Sequence, residues 1–165
     1  MRPTHWPPRE LRLLERRLNE LELLVREDRS MSSDVRDWLA RLLVVRSCGY
    51  LEQVVLAVQR EYVEQKSGGL VKTFAHSWLE RSRNPRPDVL LGTVGRFSAR
   101  LEYELEEFLR DTNTTLWSDL AFLVDRRNKI AHGENESVGP ARALQLKGTA
   151  VDVADWFIRR LNPDP

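Results

Sequence analysis

The sequence predicts an all-α protein, a helical bundle with one long helix and several short ones. Three observations carry that expectation. Apolar residues recur at steps of three and four through nearly every segment, the period of one helix face, and no segment shows the alternation of a half-buried strand. Residues suited to opening a helix stand ahead of those runs: Ser32 or Ser33, Ser98, and the prolines Pro87 and Pro140. Glycines suited to ending one stand at Gly68-Gly69 and Gly133. At 165 residues the chain is expected to form a single domain, 1–165, able to bury about two thirds of its unfolded surface.

The elements follow in order. A proline-rich leader, MRPTHWPPRE, has no apolar stretch of the signal-peptide kind. Leu11, Leu14, Leu18, Leu21 and Val25 then keep a heptad-like seam, so a first helix either closes the core of the same domain, the favoured reading, or serves as a partner-binding arm. A second helix runs from Ser32 or Ser33 to about Lys66, on the order of 50 Å long at about 1.5 Å per residue. A third spans Leu70 to about Arg81. Asn84-Pro85-Arg86-Pro87 forces extended backbone before a short helix, Ser98 caps a charged helix from Ala99 to Arg110, and Thr112 to Thr115 turn the chain. The next helix begins near Leu116. After a polar loop from Glu134 to Gly139, the last helix carries Val151, Ala154, Trp156, Phe157, Ile158 and Leu161 toward the core.

Composition excludes several classes. Charged residues make up 31% of the chain yet cancel to +1, so any contact with nucleic acid must be local and not that of a uniformly cationic surface. The one cysteine, Cys48, lies in an apolar segment and has no companion for a disulfide or a metal site, so it is expected to be a packed thiol in a reducing compartment. No cofactor or metal is expected. No run is read as approaching a membrane span, and the chain is expected to be cytoplasmic.

The chemistry concentrates in Arg127-Asn128-Lys129-Ile130-Ala131-His132. Leu116, Leu120, Leu123, Arg127 and Ile130 share one seam, which places a guanidinium among aliphatic side chains, where it must find an acceptor or an anion. Asn128 and His132, four apart, project from one flank of that seam. On the second helix Val45, Cys48, Glu52 and Val55 form a similar line, with the Glu52 carboxylate interrupting it. If the two helices pack together, Glu52 is the acceptor for Arg127; Arg46, adjoining the line, could add a second positive charge. On spacing alone the favoured reading is a capped helix end with Arg127 paired to a structural acid, and for Glu52 and Arg46 an ordinary buried ion pair stands at least level with a direct catalytic role. His76 reads as a core or surface histidine and His5 as part of a flexible tail.

The string RRNKIAHGE at the end of a long helix resembles the signature of the HEPN superfamily, an Arg followed four to six residues later by His. Two further segments extend the likeness: VVRSCGYLEQVV at 44–55 is similar to the second helix of RiboL-PSP-type HEPN proteins, and RNPRPDVLLGTVGRF at 83–97 to their Asn-Pro connector and short helix. The resemblance covers residues 34–161 as a HEPN-like core and leaves the leader and first helix, 1–31, outside it.

That likeness implies a metal-independent endoribonuclease acting by 2′-hydroxyl attack. It also implies a homodimer in which two copies of the motif share one cleft, with His132 of both subunits as acid and base, Arg127 on the phosphate and Asn128 orienting; Glu52 and Arg46, read from the residues themselves, are secondary candidates. RNA is the implied substrate, and an antitoxin or defence-system partner the implied restraint. The competing readings are a HEPN module that binds nucleotide, RNA or protein without cleaving, and a purely structural helical interaction protein.

Overall fold

In the computed structural model, which describes residues 6–27, 31–80, 83–134 and 137–163, the described residues form seven helices and no strand. They are α1 (Arg9–Glu27), α2 (Ser33–Lys66), α3 (Gly69–Trp78), α4 (Pro87–Gly95), α5 (Ala99–Leu109), α6 (Leu116–Ala131) and α7 (Pro140–Arg160). His5 lies outside the described residues.

The local signals act where the sequence places them. Ser32 accepts a hydrogen bond from the Val35 amide to open α2, Ser98 does the same for Leu101 at α5, and Pro87 and Pro140 occupy first-turn positions of α4 and α7. The α2 terminus differs from expectation. Ser67, not the glycine pair, ends it, with its amide on the Val63 carbonyl at 3.1 Å; Gly68 and Gly69 instead open α3, Gly69 with φ +56°. The third helix is also shorter than expected. Arg60 of α2 reaches across and donates to the carbonyls of Leu79 (2.7 Å) and Glu80 (2.8 Å), capping the chain just past Trp78 where helical spacing alone would have carried it on.

α2 is the axis of the bundle, packed against α1, α3, α6 and α7. Its Leu43, Val44, Leu51, Val54 and Val58 are wholly buried together with Leu146, Ala150, Val153 and Phe157 of α7. This corrects the expectation about membrane-length segments: α2 contains an 18-residue window of mean hydropathy 1.3, long and apolar enough for a span, of which 56% is buried inside the bundle. Its hydropathy answers to neighbours on several sides.

α1 closes the same core. Leu11, Leu18 and Val25 are buried one heptad apart, and Leu14 and Leu21 pack against them. Lys147 of α7 fastens the far side, donating to Asn19 Oδ1 at 2.7 Å and pairing with Glu22 at 2.7 Å.

Candidate active site at the end of the motif helix

α6 begins at a buried acid. Asp119, 3% exposed, accepts from Thr115 Oγ1 (2.6 Å) and Gln145 Nε2 (3.0 Å) and pairs with Arg142 (2.7 Å), so both carboxylate oxygens are engaged and α6 is pinned to α7. The Arg142 and Arg126 guanidinium groups both lie over the Phe122 ring, at 4.7 and 4.6 Å from its centroid. Sequence reasoning passed over Asp119. The available signal was an acid one position from Leu120 on an apolar face, with Arg142 and Gln145 three apart on a later helix.

Along α6 the seam is deepest at Leu116, Leu120 and Leu123 and grows shallower toward the motif, where Arg127 and Ile130 are half-buried. Arg127 donates through Nη2 to Oε1 of Glu52, the acceptor its place in an apolar line demands. Both side chains are largely withdrawn from solvent, at 26% and 16% exposure, so the pair is better insulated than a surface bridge while the guanidinium keeps an open edge. Cys48 lies beneath them, its Sγ 3.9 Å from Glu52 Oε1. Burial raises the thiol's pKa and the adjoining Arg127 only partly opposes this, which disfavours the reactive thiolate at Cys48.

The helix ends as its glycine predicts. Gly133 takes φ +78°, its amide meets the Ile130 carbonyl at 3.1 Å, and the Glu134 amide meets the Lys129 carbonyl at 3.0 Å. These two bonds close a Schellman motif around His132, the capping residue. The turn leaves the His132 side chain exposed and without a side-chain hydrogen bond among the described residues. Asn128, one turn earlier, is half-buried, and its carbonyl accepts from the His132 amide at 3.0 Å.

Arg127, Asn128 and His132 thus share the last turns of α6, and Glu52 joins them from α2. Arg46 does not belong to that contact. Six residues from Glu52 it stands about 9 Å along the axis and roughly 120° around the helix, and its side chain is exposed. His76, on α3, is half-buried and meets Glu64 Oε2 at 3.1 Å, a structural pairing outside the site.

The described residues form an all-α bundle, as the resemblance to the HEPN superfamily leads one to expect. The RiboL-PSP-HEPN family model matches residues 12–160, nearly the whole chain, and the chain belongs to that family. The match starts within α1, so the family's domain reaches further toward the amino terminus than the expected core of 34–161. No curated protein and no solved structure matches the chain.

Proposed function

We propose that the protein is a metal-independent endoribonuclease that cleaves RNA through attack of its own 2′-hydroxyl, working as a homodimer with one composite site. The observation carrying this reading is the pairing of a partly buried, oriented Arg127 with an exposed His132 at the same helix end. A guanidinium has five donors; Glu52 occupies one, and others remain for a non-bridging phosphate oxygen.

One neutral His132 takes the proton of the 2′-hydroxyl while O2′ bonds to phosphorus. As the bond from phosphorus to O5′ breaks, the partner subunit's His132, protonated, gives its proton to the departing oxygen. The two Arg127 side chains hold the charge that builds on the phosphorane, and Asn128 orients the phosphate or the imidazole. The products are a 2′,3′-cyclic phosphate and a free 5′-hydroxyl.

Dimerisation has a surface to use. Val35, Trp38 and Leu42 of α2 are exposed, and their three-four line continues through Val45 and Gly49 to Glu52. A second copy seated along that line would bring the two motifs together. The family's habits carry the reading on to a cytoplasmic toxin or phage-defence effector restrained by a partner protein.

End-group analysis tests the chemistry. Incubated with end-labelled RNA in EDTA, the protein is expected to leave cyclic phosphate and 5′-hydroxyl ends, and to spare a strand carrying 2′-deoxy at the scissile nucleotide. Products with 3′-hydroxyl and 5′-phosphate ends, or cleavage abolished by EDTA, would contradict it.

A further inference from the structure

Beyond Glu52, the same face of α2 becomes the floor of a cavity of about 580 Å³, within the roughly 300–1,000 Å³ usual for small-molecule sites. Val55, Gln59, Tyr62 and Val63 of α2 line it, with Phe74 and Trp78 of α3 on one side and Leu90 of α4 and the adjoining Phe97 on another. The lining is overwhelmingly apolar, and Phe74 and Trp78 remain 65% and 50% exposed.

Two independent features ask for a ligand of definite chemistry. Gln59 is only 2% exposed, and its amide Nε2 has no hydrogen-bond partner among the described residues. Buried donors are seldom left unmade, because the lost hydration is not recovered. The second feature is charge. Lys66, Arg83 and Arg96 stand in the lining, while its one acid, Glu52, is already matched by Arg127. Arg96 lies over the Trp78 ring, 4.5 Å from its centroid, which keeps a guanidinium beside the apolar wall.

We propose that this groove binds a monomeric amphipathic anion, an aliphatic body with a single carboxylate head. The body covers the aliphatic and aromatic walls. The head supplies in one group both the acceptor that Gln59 lacks and the negative charge that the three cations favour. A sugar or nucleoside would bring more polar groups than one buried donor can satisfy.

Decanoate, below the concentration at which it self-associates, is the probe, and calorimetry on the full chain is the readout. It involves no RNA, so its outcome is independent of the ribonuclease reading. One decanoate is expected per chain, with decanol bound at least several-fold more weakly. Gln59→Leu is expected to weaken decanoate about tenfold, Arg96→Glu to weaken decanoate but not decanol, and Ala75→Trp, which fills the groove from α3, to abolish binding of both. Circular dichroism checks that each variant keeps its helices. The proposal is overturned if decanoate does not bind, if decanol binds equally well, or if Ala75→Trp leaves binding intact. Binding to phosphatidylglycerol vesicles without binding of monomeric decanoate would overturn it too, assigning the face to a membrane surface.

Discussion

At position 127 a guanidinium interrupts a line of Leu and Ile, and at position 52 a carboxylate interrupts a line of Val and Cys; each makes the other tolerable. The pair orients Arg127 without exhausting its donors, which is what a phosphate clamp requires. Glu52→Gln keeps the shape and removes the charge. It is expected to leave helical content unchanged while lowering cleavage by about tenfold to a hundredfold, the scale of a misplaced group. Arg127→Ala should do more, losing activity and also about 1–3 kcal/mol of stability, because it strands a half-buried carboxylate. Urea denaturation of both variants alongside a cleavage assay separates the two effects. Equal activity of Glu52→Gln and wild type would remove Glu52 from the site.

Among the elements, α2 carries the organisation. One face of it holds the line from Val35 to Gly49, exposed at Val35, Trp38 and Leu42 and half-buried beyond, then Glu52, then the groove from Val55 to Lys66. α1 and α7 brace its other sides, and Glu22 belongs to that brace. Burial tends to raise the Glu22 pKa, but Lys147 and Arg26 outweigh it and leave the carboxyl below its ordinary 4.5. A depressed folded pKa means stability that is complete above the unfolded value and lost as pH falls through the folded one. Glu22→Gln is therefore expected to cost about 1 kcal/mol at pH 7, with the difference from wild type shrinking below pH 4.5. Chemical denaturation at pH 7 and at pH 3 checks this; a difference that grows in acid would refute the assignment.

The helix boundaries were legible because their signals are local. Ser32, Ser98, Pro87, Pro140 and Gly133 act on their own neighbours, and the structure uses each as spacing suggests. The Glu52–Arg127 pairing was legible for a different reason: two charges in apolar lines must be reconciled somewhere. What escaped depends on how helices lie against one another. The capping of α3 by Arg60, the Asp119 anchor and the groove under α3 and α4 each join residues from different elements with no shared period. Arg46 adjoins the stripe in sequence without belonging to it, and its exposed side chain stands apart from the Glu52–Arg127 pair.

At the scale of the whole molecule, the described residues of one chain supply a single histidine to the candidate site, whereas the proposed reaction asks for an acid and a base at once. Symmetry offers the second. Sedimentation at micromolar concentration is expected to give a homodimer, with Trp38→Glu shifting it toward monomer. A wild-type monomer that nonetheless cleaves RNA would refute the composite site.

The most direct test is the rate of RNA cleavage by His132→Ala beside wild type across a pH series. His132 lies at a helix end and is exposed, so the variant keeps its fold. Wild type is expected to show a bell-shaped profile, since acid and base must be in opposite protonation states, and His132→Ala is expected to lose about a hundredfold or more throughout. Cleavage by His132→Ala at the wild-type rate would contradict the account.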